Sequence, residues 1–178
     1  MSRWTLPGVV LTLGMLLAGC VPGGTLYYHP SMAGGKTVKH YCEQTPSVVN
    51  FQLGSLPGHA LARKTKNGTV VLMELGSYFL PRNTPPRTWK TFHFATDRFA
   101  ARDLVRNVTL SDLPYRGPDA PLASPATKRY YLQIDLPKST PDRFELISPP
   151  VVVDGHEWPF PPIRFEYKLW IGIVPFNC

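Results

Sequence analysis

Proline is spread through the whole chain, with 20 prolines among 178 residues. Because proline lacks a backbone N–H and fixes φ, it excludes long helices and confines strands to the stretches between prolines. Those stretches carry hydrophobic residues at every second position, the period of a strand with one buried face. In the clearest of them, residues 129–136, the positions expected to face inward are Tyr130, Leu132, Ile134 and Leu136. The spacing predicts short strands joined by proline-rich corners.

Two dipeptides mark tight turns between such strands. Asn67-Gly68 separates residues 59–65 from residues 69–75, and Asp154-Gly155 follows a run of three valines. Both dipeptides favour hairpin turns whose central residues take positive φ. Further strands are predicted at 48–53, 89–95, 143–147 and 163–174. One face of the last strand is predicted to carry Phe165, Tyr167, Leu169, Ile171 and Ile173, and the other Arg164, Glu166 and Lys168.

One stretch, residues 96–106, also fits a helix. Thr96 can act as its N-cap, and Asp97 is well placed against the helix dipole. The pattern predicts one to three helical turns, with a strand favoured for the second half, in residues 104–110. The proline- and glycine-rich residues 111–127 are predicted to form a surface loop.

About eight strands with at most one short helix predict an all-β fold. We expect an antiparallel β-sandwich with the shape of an immunoglobulin or transthyretin domain, and a closed barrel is the alternative. Residues 41–178 are predicted to form this single domain. Residues 20–40 are predicted to be a tether without regular structure that becomes ordered at its end, because they contain two prolines and four glycines. Two tyrosines within it, Tyr27 and Tyr28, are expected to pack on the domain or to lie at a membrane surface.

The first twenty residues have the layout of an export signal. Arg3 supplies a positive charge, residues 6–18 are apolar, and Leu17-Ala18-Gly19-Cys20 ends the run with small residues and a cysteine. This apolar run is too short to cross the hydrocarbon of a membrane, which takes about 20 residues. The layout therefore predicts a cleaved secretory signal. Two alternatives remain for the cysteine at its end: an ordinary signal peptide that happens to end near a cysteine, or an uncleaved N-terminal anchor helix.

The Leu17-Ala18-Gly19-Cys20 segment resembles the lipobox of bacterial lipoproteins. The resemblance implies cleavage of a signal peptide at residues 1–19, lipid on the thiol of Cys20 and acylation of its freed amine. Several acyl chains on one residue give stable attachment without a transmembrane helix. Val21 stands where enteric bacteria place the aspartate that retains lipoproteins in the inner membrane. The resemblance thus implies the outer membrane, with the protein facing the periplasm.

Further similarities lie in the Tyr27-Tyr28-x-Pro30 segment, Gly34-Gly35, Cys42, and the run from Pro149-Pro150-Val151 through Asp154-Gly155 to Pro161-Pro162-Ile163-Arg164-Phe165. In these positions the chain is similar to small proteobacterial lipoproteins that have a β-rich periplasmic domain and no assigned activity. The similarity covers most of the chain after Cys20. It implies a location and a β-rich fold, and no mechanism.

Lipidation of Cys20 would leave Cys42 and Cys178 as the remaining cysteines. Because the periplasm is oxidising, a disulfide between them is expected. In the chain-entropy model a loop of about 100 residues gains about 4.7 kcal/mol from such a bond. Free thiols and a metal site are the alternatives, although the sequence has no CxxC motif to support a metal.

The sequence carries no recognisable motif for catalysis or for a cofactor. Gly34-Gly35-Lys36 lacks the spacing of a phosphate-binding loop, and Ser55 is misplaced for a nucleophile elbow. The five histidines show no metal-binding spacing. His156 and Glu157 beside Asp154 are a weak candidate for a small acid–base or metal cluster, but polar residues are expected next to a turn glycine. We therefore predict no enzyme activity, and no catalytic, cofactor-binding or metal-binding residues.

The segment Trp158-Pro159-Phe160-Pro161-Pro162-Ile163 has two interpretations. It could form an exposed aromatic ridge that a partner protein grips in extended form. It could instead form a rigid corner whose aromatic side chains close one end of the sandwich. The corner is favoured because proline is tolerated at the start of a strand.

The net charge of +7 is typical of a solvated surface and also favours anionic lipid headgroups. No motif for nucleic acid is present. We expect a lipid-anchored, non-enzymatic structural or assembly protein on the periplasmic face of the outer membrane, with another envelope protein as its partner. The alternative is a periplasmic binding module for a small apolar or anionic ligand. A hydrolase whose site is invisible in the sequence is a third hypothesis.

Overall fold

The computed structural model describes residues 20–39, 43–76, 91–116 and 130–175. Within these residues every regular element is a strand, and no helix has the length and apolar character needed to span a membrane. The strands are β1 (Cys20–Met32), β2 (Lys36–Val38), β3 (Val48–Leu53), β4 (Leu56–Thr65), β5 (Gly68–Leu75), β6 (Phe92–Phe94), β7 (Phe99–Asp103), β8 (Thr109–Leu113), β9 (Tyr115–Arg116), β10 (Tyr130–Leu136), β11 (Arg143–Ile147), β12 (Val151–Val153), β13 (His156–Trp158) and β14 (Ile163–Pro175).

The strands form three sheets. A five-stranded sheet has the order β1-β14-β11-β7-β8, and a six-stranded sheet has the order β2-β3-β4-β5-β10-β9. A three-stranded sheet has the order β13-β12-β6. The central pairs, such as β4 with β5 and β11 with β14, are antiparallel. The predicted all-β, antiparallel β-sandwich is confirmed.

The chain divides into two compact units. The larger unit is Tyr27–Lys168. The smaller unit comprises Met1–Leu26 and Leu169–Cys178, of which residues 20–26 and 169–175 are described. These described residues belong to β1 and β14, which are neighbours in the five-stranded sheet.

The core of the larger unit is built from one face of each strand. In β10, Leu132, Ile134 and Leu136 are buried, whereas Tyr131 is exposed and Gln133 and Asp135 are only partly buried. This confirms the alternation predicted for these positions. In β14, Ile163 and Phe165 are fully buried. Burying a side chain of this size stabilises the fold by about 1.5–3 kcal/mol, so the period-two pattern determines which face becomes the core.

Both predicted hairpins form, but only one has its turn at the predicted residues. Asp154 and Gly155 have φ values of 49° and 82°, as the predicted turn requires. In the β4–β5 hairpin, Thr65 pairs with Gly68, so the turn lies one residue earlier than predicted. The positive φ of this hairpin falls on Gly68, at 144°.

The helix predicted for residues 96–106 is wrong, because part of this stretch forms β7. Phe99, Ala101 and Asp103 are buried, which is the period of a strand. The small alanines that fit a helix also fit a strand packed between two neighbours, and β7 pairs with both β8 and β11. Tertiary pairing has overridden the local pattern.

A turn closes the β7–β8 hairpin, where the sequence favoured a strand over 104–110. The carboxylate of Asp103 accepts hydrogen bonds from the backbone N–H groups of Val105, at 2.7 Å, and Arg106, at 2.9 Å. The short acceptor side chain competes with a regular strand, which resumes only at β8. The loop prediction also fails at residues 111–116, which belong largely to β8 and β9, whereas residues 117–127 lie outside the described residues.

The prediction that residues 20–40 form a tether without regular structure is wrong for most of its length. Cys20–Met32 is a 13-residue strand, and Lys36–Val38 is a second, short one. Because β1 lies at the edge of its sheet, its prolines can leave the ladder intact by facing away from β14. Tyr28 is buried in the core, which confirms that at least one of the two tyrosines packs on the domain.

Candidate functional site

The predicted lipid-attachment residue, Cys20, is the first residue of β1. We call the described part of the smaller unit, residues 20–26 and 169–175, the Cys20 ribbon. Its two segments have the sequences CVPGGTL and LWIGIVP, which contain no charged residue. The predicted site of modification is therefore continuous with an uncharged pair of strand segments.

One face of the Cys20 ribbon exposes large apolar side chains. Leu26, Leu169 and Ile171 are 57%, 60% and 77% exposed. A Cβ on Gly24 would lie 3.6 Å from the Cδ1 atom of Leu169, so these two residues face the same side. Residues two apart on a strand share a face, which places Leu26 beside Gly24 and Ile171 beside Leu169. The sequence predicted the shared face of β14 but not that it would be exposed here.

The other face of the Cys20 ribbon carries Trp170. A Cβ on Gly172 would lie 2.3 Å from the Trp170 ring, so the ring lies directly over this glycine. Trp170 is half-buried as a result. This second face carries the exposed hydroxyl of Thr25 beside the indole of Trp170 and is uncharged in sequence.

In the larger unit, Glu145 is the most enclosed charged group of an ion-pair cluster. It is 3% exposed and lies between Arg102 and Arg164, its register partners on β7 and β14. The Nε atoms of both arginines lie 3.0 Å from carboxylate oxygens of Glu145. Burial raises the pKa of Glu145, but the hydrogen bonds from the two guanidinium groups outweigh it and hold the pKa below its ordinary value. The cluster joins three strands.

His59 and Glu74 form a second polar pair that the sequence did not reveal. They are register partners on β4 and β5, and His59 Nε2 lies 3.7 Å from Glu74 Oε2. Glu74 is only 5% exposed. A buried carboxylate beside an imidazole can hold the ring in one orientation and can exchange a proton with it. Such a pair has the chemistry of an acid–base site but is equally suited to linking two strands.

The environment of His29, on β1, lowers the pKa of its imidazole. Burial lowers its pKa, the positive charge of Lys168 lowers it further, and Glu166 and the Pro46 carbonyl act in the opposite direction. Its buried Nδ1 atom has no hydrogen-bond partner among the described residues. Because this nitrogen is shielded from solvent, it is poorly placed to take a proton from a substrate.

The Asp154, His156 and Glu157 group predicted as a weak acid–base or metal candidate is not a cluster. The Asp154 carboxylate accepts a hydrogen bond from the Thr91 backbone N–H at 2.7 Å, and its own N–H donates to the Thr91 carbonyl at 2.9 Å. His156 and Glu157 are exposed on β13. Asp154 thus connects its turn to the chain entering β6. Within the described ranges, no three His, Cys, Asp or Glu residues form a metal-binding group.

The aromatic–proline segment combines features of both of its interpretations. Phe160 is buried, with its ring centroid 5.1 Å from that of Phe51, as the corner interpretation requires. Trp158 is 40% exposed, and its indole lies against Gly54, where a Cβ would be 2.6 Å from the ring. Phe160 therefore closes the core, and Trp158 presents one side to solvent.

A groove of about 570 Å³ with a mixed polar and apolar lining lies beside the β4–β5 turn. Lys66 and Arg116 contribute positive charge to it, and Asp135 pairs with Arg116 at 3.3 Å. Its volume falls in the range of about 300–1,000 Å³ typical of ligand sites. A smaller cavity of about 100 Å³, between Asp103 and Thr140, is large enough only for a few water molecules.

The remaining predicted site residues are Cys42 and Cys178, and both lie outside the described residues. Their disulfide stays a prediction. Comparison of the chain with protein-family models, with curated proteins and with solved structures gives no significant match.

Proposed function

We propose that the chain is a lipid-anchored protein of the bacterial envelope. In this proposal, lipid on Cys20 holds it at the periplasmic face of the outer membrane, where it acts as a non-enzymatic structural or assembly partner of another envelope protein. The observation that carries the proposal is that Cys20, the cysteine of the lipobox-like segment, lies in β1, the strand that continues into the larger unit. The predicted anchor is therefore joined to the fold by a strand.

The length of chain between Cys20 and the larger unit supports a role close to the membrane. The larger unit begins at Tyr27, seven residues after Cys20. Extended chain covers at most about 3.3–3.6 Å per residue, so this segment spans no more than about 25 Å. A tether of 20 residues would reach nearly three times as far. The larger unit therefore starts within about 25 Å of the proposed lipid attachment point.

The engagement of the charged groups supports a non-enzymatic role. The Glu145 carboxylate is paired with two arginines. The carboxylates of Asp154 and Asp103 accept hydrogen bonds from backbone N–H groups. Lys64 and Asp142 are paired at 2.5 Å. Groups already occupied in the folded protein are poorly placed to bind or activate a substrate, whereas they make the sandwich rigid.

The anchor is tested by membrane fractionation of cells producing wild-type protein, Cys20→Ala and the matched control Thr25→Ala. Thr25 is an exposed residue of the same strand. We expect wild type and Thr25→Ala in the membrane pellet, released by detergent but not by high salt, and Cys20→Ala in the soluble periplasmic fraction. A Cys20→Ala protein that still requires detergent for release would contradict the anchor.

The assembly role is tested by capture of the tagged, lipidated protein in mild detergent, followed by mass spectrometry. We expect one envelope protein to be enriched reproducibly with wild type. Charge reversal at exposed residues of the larger unit, such as Arg98→Glu, should map the contact. Capture of the protein alone, repeated after chemical cross-linking in intact cells, would refute the assembly role and leave the anchor in place.

The groove beside the β4–β5 turn favours a second candidate function, binding of a small anionic ligand. Lys66 and Arg116 supply its positive charge. Titration with phosphate-bearing lipopolysaccharide fragments should then give saturable binding that Lys66→Glu and Arg116→Glu abolish. Equal binding by these variants would exclude the groove as the site.

A further inference from the structure

We infer that the Cys20 ribbon lies on the lipid bilayer and inserts its apolar side chains among the headgroups. The inference rests on the proposed lipidation of Cys20 and adds a second contact to it. The ribbon, as defined above, comprises residues 20–26 and 169–175. In this proposal the ribbon contacts the membrane surface and not another protein.

The exposure of the ribbon is the first argument. Leu26, Leu169 and Ile171 place three large aliphatic side chains on one face, and each is more than half exposed. Single exposed apolar residues are ordinary, whereas a group of them on one small element marks a contact surface. Acyl chains on Cys20 would hold this group next to hydrocarbon at every moment.

The absence of charge in the ribbon sequence is the second argument. Charged side chains resist transfer toward hydrocarbon, and neither CVPGGTL nor LWIGIVP contains one. Trp170 lies on the opposite face from Leu169 and is half-buried against Gly172. Tryptophan is enriched at the headgroup level of membranes. The composition of the ribbon therefore matches an interfacial element.

The backbone limits how deeply the ribbon can enter. Among the described strands β1 is the edge of its sheet, so the backbone N–H and C=O groups on its outer side have no strand partner within the described residues. Such groups are costly in hydrocarbon and need water or headgroups for hydrogen bonding. The ribbon consequently stays at the interface, with its side chains reaching toward the acyl chains.

The prolines of β1 argue against a second copy of the chain as the occupant of this edge. Pro22 and Pro30 are eight residues apart in β1, so their nitrogens face the same side of the strand. Proline cannot donate to a ladder, which places that side away from β14. An outer edge that lacks two donors is poorly suited to adding another strand.

Trp170 provides a native reporter for the test. After cleavage before Cys20, the Trp89→Phe, Trp158→Phe double variant retains Trp170 as its sole tryptophan. The lipidated protein is reconstituted into phosphatidylethanolamine–phosphatidylglycerol vesicles with either ordinary or brominated acyl chains. We expect brominated lipid to lower the Trp170 emission about twofold, as for an indole at the interface.

Two charge-insertion variants separate the ribbon from the lipid anchor. Leu169→Glu, Ile171→Glu should abolish the quenching while the lipid keeps the protein in the vesicles. The matched control is Val105→Glu, Val108→Glu, which adds the same charge at exposed apolar residues of the β7–β8 turn. This control should be quenched as strongly as the parent.

Hydrogen exchange of the wild-type protein in vesicles repeats the test without substituting a tryptophan or a ribbon residue. Amides of residues 23–26 and 169–174 should exchange about tenfold more slowly in vesicles than in the Cys20→Ala protein in buffer, because the bilayer shields the edge strand. This measurement decides the question if the tryptophan variant does not fold.

The outcomes distinguish failure of the ribbon contact from failure of the proposed lipid anchor. Lipid on Cys20 with unquenched Trp170 and unchanged exchange would overturn the ribbon contact and leave the proposed function intact. The same holds if the ribbon cross-links to a protein or to a second copy while Trp170 remains unquenched. Mature protein without lipid on Cys20 would overturn both.

Discussion

The Tyr28 hydroxyl lies 3.1 Å from the Thr69 hydroxyl, and this buried hydrogen bond joins the five-stranded sheet to the six-stranded sheet. Tyr28 is 1% exposed, and its ring packs edge-on against Phe144 at 5.5 Å. Burial raises its pKa, so the hydroxyl stays neutral. Tyr28 thereby holds its part of β1 in the core of the larger unit.

We expect Tyr28→Phe to lower the free energy of unfolding by about 1 kcal/mol, because Thr69 loses its buried partner. Tyr28→Ala should cost about 3–5 kcal/mol, since it also removes a ring from the core. Urea unfolding of the Cys20→Ala background measures both values. Tyr27→Phe, at the half-exposed neighbour, is the control and should match the parent. Equal stability of Tyr28→Phe and the parent would mean that the hydroxyl pair contributes nothing.

We expect the free energy of unfolding to depend on pH in the acid range because of Glu145. Its pKa in the folded protein lies below the ordinary value of 4.5, so the ionised carboxylate contributes stability above about pH 4.5. This contribution is lost as the pH falls through the lower, folded pKa. Glu145→Gln should therefore cost about 2 kcal/mol at pH 7 and progressively less below pH 4.5.

Denaturant unfolding between pH 3 and pH 7 measures this difference, with Glu166→Gln as the control. Glu166 is more exposed, and its pKa is lowered mainly by a hydrogen bond from Lys168. An exposed pair of this kind contributes about 0–1 kcal/mol. A gap between wild type and Glu145→Gln that stays constant over the whole pH range would refute the ionic role of Glu145.

Asp154 should be structural, and its neighbours should be dispensable. Asp154→Ala removes the acceptor for the Thr91 N–H and places an unsuitable residue at a φ of 49°, so we expect a loss of about 1–2 kcal/mol. His156→Ala and Glu157→Ala, at exposed positions, should change stability by less than about 0.5 kcal/mol. Thermal unfolding checks all three. A neutral Asp154→Ala would remove the structural explanation for this residue.

The predicted disulfide has a separate test. Digestion without reduction should yield one linked peptide pair containing Cys42 and Cys178, and reduction should lower stability by about 2–5 kcal/mol. Recovery of both cysteines as alkylated thiols from non-reduced protein would show that the pair is not bonded.

Features determined by neighbouring residues were predictable from the sequence. The Asp154-Gly155 turn depends only on the ability of these two residues to take positive φ, and it forms as predicted. The alternation of Leu132, Ile134 and Leu136 likewise follows from the strand period. The Asn67-Gly68 hairpin was predicted, but its turn shifted by one residue because the register of β4 and β5 is set by the core.

Features determined by distant partners were missed. The prolines and glycines of residues 20–32 indicated a tether, but β1 is stabilised by β14, more than 130 residues away. Glu145 is 43 residues from Arg102 and 19 from Arg164, so no local sequence motif could predict the cluster. His59 and Glu74 meet only through the β4–β5 register. A prediction of the β4–β5 register could have placed His59 opposite Glu74.

The most direct test of the proposed anchor is mass spectrometry of the N-terminal peptide from protein extracted from bacterial membranes. We predict that the peptide begins at Cys20 and carries a thioether-linked diacylglyceryl group together with an amide-linked acyl chain. Alkaline hydrolysis should remove the two ester-linked chains and leave the amide-linked one. A mature N-terminus at another residue, or an unmodified Cys20 in membrane-derived protein, would contradict the account.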